Sequence, residues 1–209
     1  MSTPSSDIAF SPSVKAIQER RGSRSAYAKT ELRGGFNVEI TPALSAFLSE
    51  IDTAYLATAS AVGQPYAQHR GGPKGFIKVL DSRTLAFADF AGNRQYVTLG
   101  NLAENDRAFL FLMDYENRRR VKVWGRAKVV ENDAALINQL TPKGYRARPE
   151  QAILIAVEAW DVNCSQHIPR KIDAEEASAA IHQIQKQIAA LTAENARLRD
   201  PLLVAQKIH

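Results

Sequence analysis

Alternating apolar and polar positions over most of residues 53–160 predict a sheet in preference to a bundle of helices. Hairpin-length connections separate most of the strand-like segments, which favours an antiparallel, barrel-like sheet over parallel crossovers. The predicted strands are Thr53–Ala61, Tyr66–Arg70, Phe76–Leu80, Thr84–Ala88, Arg107–Asp114, Arg120–Val130 and Ala152–Trp160. Helices are predicted at Val14–Arg21, from Thr41-Pro42 onward, at Tyr96–Asn105 and at Asp133–Leu140. The pattern divides the chain into an N-terminal arm (1–40), a mainly β domain (41–170) and a helical tail (171–209).

The tail has a different period. Six residues, five of them large aliphatics, recur there at alternating spacings of three and four, which is the a/d seam of a coiled coil: Ile181, Ile184, Ile188, Leu191, Asn195 and Leu198. Asn195 occupies an a position in the same seam. We predict an amphipathic helix over roughly Ala174–Arg199 that ends at Pro201. Two arrangements remain open, packing on the chain's own barrel and pairing with a counterpart across a dimer.

Composition narrows the function classes. The chain has 209 residues, 45% of them hydrophobic, which is enough for one packed domain with an appendage. Cys164 is the single cysteine and the four histidines are widely spaced, so neither a disulfide framework nor a metal site is predicted. No apolar run reaches the length of a membrane span and the first residues are polar, so a cytoplasmic protein without a membrane partner is expected. The formal charge of +5 is modest and not collected in a tail, so nucleic acid is not expected as a partner.

Several common enzyme motifs are missing from the sequence. No GxGxxG follows a predicted strand, and neither a GxxxxGK[ST] loop nor a GxSxG elbow occurs. Rossmann dinucleotide enzymes, P-loop ATPases and hydrolases of the nucleophile-elbow type are therefore not indicated.

The candidate chemistry centres on the segment Asp89–Gln95, which joins a predicted strand to a predicted helix. Asn93 is placed as the N-cap, so Arg94 and Gln95 are expected in the first helical turn. A cation there opposes the helix macrodipole unless an anion is bound, and a phosphate group is the natural candidate. The alternative for Arg94 is an ordinary surface position on a helix.

Further basic residues lie on predicted strands. Lys78 stands between apolar neighbours and is a second candidate for a phosphate, with a solvated outward position as the alternative. In the strand 120–130, Val121 and Val123 share one face, whereas Arg120 and Lys122 share the other with further polar residues. The alternative for this second face is simple exposure to solvent.

These segments carry a family resemblance. FADFAGNRQ (Phe87–Gln95), the following NLAEN and the strand RVKVWG (Arg120–Gly125) resemble the pyridoxamine 5′-phosphate oxidase superfamily of FMN-binding split barrels. The chain is most similar to its uncharacterised flavin-nucleotide-binding branch, because Gln95 replaces a phosphate-binding lysine and the oxidase's C-terminal Trp/Arg pattern is not evident. Arg120 also stands near the position of a flavin-contacting glutamine. The resemblance therefore does not extend to pyridoxine chemistry.

The resemblance implies a mainly β (β+α) fold, an antiparallel six-stranded split barrel with peripheral helices, and a homodimer whose interface completes two FMN sites. The residues that it assigns to the cofactor site are Lys78, Val79, Phe87, Asp89, Phe90, Asn93, Arg94, Gln95, Arg120 and Lys122. Gln166 and His167, in the loop after the last strand, are added as candidates for the flavin ring, with a linker role as the alternative. His69, which is followed by Arg70 and the paired glycines Gly71-Gly72, is a second candidate, with a structural role as the alternative.

The implied function is that of a flavin-dependent oxidoreductase with a small-molecule redox substrate that the sequence does not name. Two alternatives stay open. One is a non-catalytic FMN-binding or sensing module that engages a partner through the tail helix. The other is a haem-degrading relative on the same fold.

Overall fold

The computed structural model describes residues 3–162 and 164–206, with only the backbone described from residue 200 onward. Seven strands form one antiparallel sheet in the order β2-β1-β5-β6-β7-β4-β3. Their bounds are β1 Thr53–Ala59, β2 Pro65–Gly71, β3 Lys78–Asp81, β4 Thr84–Phe90, β5 Arg107–Asp114, β6 Arg119–Val130 and β7 Pro149–Val162. The antiparallel sheet is confirmed, but the expected six strands are wrong. All seven alternating segments pair in the sheet, including the short β3.

Six α-helices surround the sheet or follow it in the described part of the chain, after a short 3-10 helix at Ser5–Ile8. They are α1 Pro12–Arg20, α2 Arg24–Leu32, α3 Pro42–Glu50, α4 Val97–Glu104, α5 Ala134–Leu140 and α6 Ala174–Gln206. Three helices begin at a side chain that caps their N-terminus: Ser11 caps α1, Thr41 caps α3 and Asp133 caps α5. Proline occupies the first turn of α1 and α3, where no backbone N–H is needed.

The main core lies on the inner face of the sheet, closed by α3. Its fully buried members include Leu44, Leu48, Leu56, Leu110 and Ile155. The alternation predicted for β6 is confirmed, because its inward valines are buried while its basic residues face outward. β4 is buried at five consecutive positions, because α5 packs a second cluster of small and aliphatic residues on its other face.

The two ends of the strand order approach each other. Arg70 on β2 donates from Nη1 to Asp89 on β4 at 2.6 Å, although β2 and β4 are separated by four strands in the sheet order. Thr98 of α4 also donates to Gln68 of β2, at 3.0 Å. The sheet is therefore curled toward a barrel, and side chains bridge the gap that backbone hydrogen bonds leave open.

The N-terminal segment packs against the outer face of the sheet. Phe36 stacks on Trp124 with ring centroids 5.3 Å apart, and the indole N–H of Trp160 donates to the carbonyl of Glu39 at 2.8 Å. The compact unit that contains this segment and the sheet ends at Ile168, and a second unit begins at Pro169.

The second unit contains α6, a single helix of 33 residues. The prediction that Pro201 ends this helix is wrong: the helical backbone continues to Gln206. A proline removes one backbone donor and crowds the carbonyl four residues earlier, but it leaves the flanking peptide units free to stay helical. No helix in the described part of the chain combines the length and the apolar character that crossing a bilayer requires.

Candidate functional site

The loop between β4 and α4 forms a tight turn built by Asn93. The Asn93 Oδ1 accepts from the backbone N–H of Gln95 at 3.2 Å, and its Nδ2 donates to the Gln95 side chain at 3.2 Å. The predicted N-cap role of Asn93 is therefore wrong, since an asparagine that bonds the backbone two residues ahead makes an Asx turn. Arg94 and Gln95 precede the helix, which begins at Val97.

The start of α4 is open to an acceptor. Tyr96 occupies the N-cap position with a left-handed backbone (φ 54°), and its side chain makes no capping hydrogen bond. The exposed amides of a helix start carry partial positive charge and bind anions. The turn therefore presents backbone donors at the place where the sequence predicts a phosphate.

Arg94 is held beside this helix start. Its Nε donates to the Tyr96 hydroxyl at 3.1 Å, and its own backbone is left-handed (φ 60°). The hydrogen bond that Arg94 donates to the Tyr96 hydroxyl and the nearby charge of Glu150 raise the pKa of Arg94. The Arg94 guanidinium is thus protonated, and among the described residues no hydrogen bond is found from its two Nη groups.

Behind the loop lies a buried polar cluster. Asp89, 6% exposed, accepts from Arg70 Nη1 at 2.6 Å and from Gln151 Nε2 at 2.8 Å. Arg70 Nε is buried and has no hydrogen-bond partner among the described residues. Strands β2, β4 and β7 each contribute one residue to this cluster, so the curl of the sheet assembles it.

Arg70, Gln151 and Tyr96 were not among the predicted site residues. Arg70 follows the candidate His69 and faces inward on an alternating strand. A charged residue at an inward position was the one indication in the sequence that Arg70 belongs to a site. Gln151 gave none, because only the pairing of β4 with β7 brings it to Asp89, 62 residues away in the sequence.

A cleft of about 40 Å³ opens between the Asn93 turn and the buried cluster. Its lining includes Arg70, Asp89, Phe90, Asn93, Arg94 and Tyr96. This volume is on the order of one or two water molecules. A wider depression of about 560 Å³ adjoins it, sharing Tyr96, Leu99, Glu150 and Gln151 and adding Arg148. The depression is of ligand size, although it is open to solvent.

The remaining predicted residues of β3 and β4 are placed differently. Phe87 is 1% exposed and belongs to the main core, so only its backbone is available to a ligand. Lys78 lies on β3 opposite Ala86 and does not line the cleft. Val79 is exposed beside it, and Phe90 packs edge-on against Tyr145 with centroids 5.2 Å apart.

A second group of predicted residues lies on the outer face of β6 and in the loop after β7. Arg120 Nε donates to the carbonyl of Cys164 at 2.8 Å, and Lys122 Nζ pairs with Asp161 at 3.0 Å. Gln166 and His167 are exposed in the turn that follows. No contact described for residues 3–162 and 164–206 joins this group to the Asn93 turn. One chain therefore does not bring all the predicted residues together.

Comparisons with known proteins identify the class. The family model described as pyridoxamine 5′-phosphate oxidase matches residues 40–164, more than half of the chain. The chain belongs to this family of FMN-binding split barrels. No curated protein gave a significant match.

Solved structures with a similar chain course include HupZ of group A Streptococcus, at 18% identity and a TM-score of 0.49, covering 64% of this chain and 99% of that one. A putative pyridoxamine 5′-phosphate oxidase from Lactobacillus delbrueckii is 20% identical with a TM-score of 0.46, covering 60% and 95%. An FMN-binding protein from Syntrophomonas wolfei is 10% identical with a TM-score of 0.48, covering 71% and 97%.

Proposed function

We propose that this protein binds FMN, with the phosphate in the cleft beside the Asn93 turn, and acts as a flavin-dependent oxidoreductase on a small-molecule redox substrate. Membership of the family supports a flavin as the ligand. The observation that carries the placement is the convergence of Arg94, Arg70 and the uncapped start of α4 on one cleft. Two guanidinium groups and helix-start amides are the donors that a phosphate dianion requires.

The donors in the cleft fit this ligand. Arg70 Nε is a buried donor without a described partner, and an anionic oxygen in the cleft would satisfy it. The two carboxylates that line the cleft are already engaged, Asp89 by Arg70 and Gln151, and Glu150 by Arg148 at 2.8 Å. Their charge is thus partly neutralised before a phosphate enters.

The flavin ring needs more room than the cleft provides. The neighbouring depression is open on one side, so a single chain cannot enclose a ring there. We propose that a second copy completes the site and supplies Arg120, Lys122, Gln166 and His167, which one chain holds away from its own cleft. Lys78 remains a candidate for the ribityl end. A homodimer would have a mass of about 46 kDa, twice the 23.0 kDa of the chain.

FMN, when bound, supplies reversible uptake of electrons and hydride. The chain's own part is binding and orientation. Arg94 and the α4 amides would hold the phosphate, Asp89 would keep Arg70 in place, and cationic side chains from the partner would favour negative charge on the ring.

The test compares FMN with riboflavin, which lacks the phosphate. Replacing Arg94 with Ala removes a charge-assisted hydrogen bond, which is worth about 1.5–3 kcal/mol or roughly 10- to 150-fold in FMN affinity. Riboflavin affinity should not change. Arg83→Ala is the matched control, since Arg83 is an exposed arginine in the turn at the other end of β4. Affinities are measured by quenching of flavin fluorescence. Equal binding of FMN and riboflavin by the native protein would contradict the placement.

Turnover is tested separately on the flavin-loaded protein. Consumption of NAD(P)H under air, followed through the absorbance of the reduced nicotinamide, would support an oxidoreductase, as would bleaching of the flavin absorbance by the donor in the absence of air. Stoichiometric FMN without turnover would instead leave a binding or sensing module, and a porphyrin spectrum in the purified protein would point to haem.

A further inference from the structure

Helix α6 presents a continuous apolar seam to solvent. The side chains of Ile181, Ile184, Ile188, Leu191 and Leu198 are 54–59% exposed. An aliphatic stripe of this length on one helix face is a contact surface, because solitary exposed aliphatics do not repeat in register over several turns. We propose that the seam pairs with the same seam of a second copy in a parallel, two-stranded coiled coil.

The spacing of the seam residues indicates that the partner is a helix with the same repeat. Ile181, Ile188 and Asn195 take a positions, and Ile184, Leu191 and Leu198 take d positions. A 3.5-residue repeat stays in contact only with another helix that supercoils at the same repeat. An identical helix meets this condition at every layer. Ile188 at a with Leu191 at d favours two strands, whereas Ile181 at a with Ile184 at d does not. The buried Asn195 at a is the residue that restricts the number of strands.

Asn195 selects the parallel orientation. In a parallel pair a residue at a faces its own copy, so the two amides can bond each other, whereas an antiparallel pair places each amide against an aliphatic d residue. In the structure Asn195 Nδ2 donates to the carbonyl of Leu191 at 3.0 Å, which uses one of its two N–H groups. The second N–H and the amide oxygen can serve the partner.

The flanking charges agree with this orientation. Glu194 at g and Arg199 at e are exposed and five residues apart in the sequence. In a parallel dimer a g residue lies beside the e residue five positions later on the partner. The pair thus occurs twice, once on each side of the seam. Pro201, which interrupts helix hydrogen bonding, lies two residues after Arg199, so both charged residues come before it.

The pairing does not depend on the flavin. It would hold two chains together through their tails whether or not a cofactor is bound, and its test reads neither flavin nor activity. Cysteines introduced at d positions of a parallel coil face their own copies and can form a disulfide across the seam.

The experiment uses the full chain with Cys164→Ser, which removes the single native thiol. Ile184→Cys and Leu198→Cys are made separately; they lie 14 residues apart, about 21 Å along the helix axis. Ala193→Cys, at an outward f position, is the control. After mild oxidation with diamide, disulfide-linked dimer is quantified by non-reducing electrophoresis, and helix content is checked by circular dichroism under reducing conditions.

Both d variants should cross-link to near completion, and the f variant should remain largely monomeric on the gel. An antiparallel pair could link at most one of the two d positions. Cross-linking at only one, at neither, or equally at the f position would overturn the proposal.

A charge swap gives a second test, in which the exchanged residues, Glu194 and Arg199, flank the seam. Glu194→Arg should slow disulfide formation by Leu198→Cys on the order of fivefold, because it sets like charges side by side twice per dimer. Adding Arg199→Glu should restore the rate. No restoration by the double variant would contradict the parallel pairing of g with e.

Discussion

Replacing Asp89 with Ala removes the acceptor on which the buried cluster depends. Asp89 is 6% exposed and Arg70 has a side chain that is 13% exposed, so both charges lie largely out of water. Their hydrogen bond is 2.6 Å long, and Gln151 adds a second donor at 2.8 Å. After the substitution, the guanidinium of Arg70 would remain buried without its counter-charge.

The expected loss follows from that stranded charge. Removing one partner of a buried ion pair costs about 3–5 kcal/mol, against a total free energy of unfolding of about 5–15 kcal/mol for a domain. Replacing both partners with apolar residues costs far less, because the desolvation of two charges offsets most of their attraction. The double variant Asp89→Leu with Arg70→Met should therefore be clearly more stable than Asp89→Ala alone.

The assay is urea unfolding at pH 7 without added flavin, followed by far-ultraviolet circular dichroism. Glu158→Ala is the control, since Glu158 pairs with Arg126 at 2.9 Å where both side chains are more than 40% exposed. An exposed pair of this kind contributes at most about 1 kcal/mol. Equal losses for Asp89→Ala and Glu158→Ala, or a double variant as unstable as the single one, would refute the role of the buried charge.

Three further substitutions are checked by the same unfolding assay. Gly125→Ala should destabilise the protein by at least about 1–3 kcal/mol, because the added Cβ would overlap the carbonyl oxygen of Ala156 at the β6 bulge. Gly100→Ala should instead gain about 0.5–1 kcal/mol, since a Cβ there meets nothing within 4 Å on an exposed turn of α4; a loss at Gly100 would contradict this. For Asp114, burial raises the pKa, but hydrogen bonds from Asn117 and Arg119 outweigh it and lower the pKa below its usual value. The ionised carboxylate is thus favoured by folding. Asp114→Asn should cost stability at pH 7, and the difference from the native protein should shrink progressively as the pH falls below about 4 toward the lowered pKa of Asp114; a difference that did not shrink on acidification would disprove the assignment.

The strands were predictable because their burial is one-sided. On β6 the inward Val121, Val123 and Ala127 alternate with outward basic residues, and this period of two is visible in the sequence. Strand ends were less predictable. The predicted strand began at Phe76, whereas β3 begins at Lys78. Phe76 and Ile77 are buried like strand residues, so the apolar run does not show at which residue the backbone pairing starts.

The buried cluster could not be derived from local pattern. Arg70 and Asp89 are 19 residues apart, and Gln151 lies 62 residues beyond Asp89. Their meeting depends on the curl of the sheet and on the pairing of β4 with β7. Alternation along a strand indicates which face of the sheet a residue lies on. It does not indicate which distant strand lies next to that residue.

At the Asn93 turn the proposed phosphate site stands, although the local geometry from which the sequence predicted it is wrong. The sequence predicts a phosphate there because a cation in the first turn of α4 would oppose the helix dipole. In the structure Arg94 precedes the helix, held by Tyr96 in a left-handed backbone, so its charge does not lie within that turn. An anion is therefore not needed to offset repulsion between Arg94 and the helix dipole. The arrangement in the structure is more favourable to a phosphate: the amides of α4 are uncapped, Arg94 stands in front of them, and Arg70 offers a buried Nε from behind. The anion would complete a set of donors that the fold has already arranged, and so its affinity should depend on Arg94 and on the Asp89 that fixes Arg70.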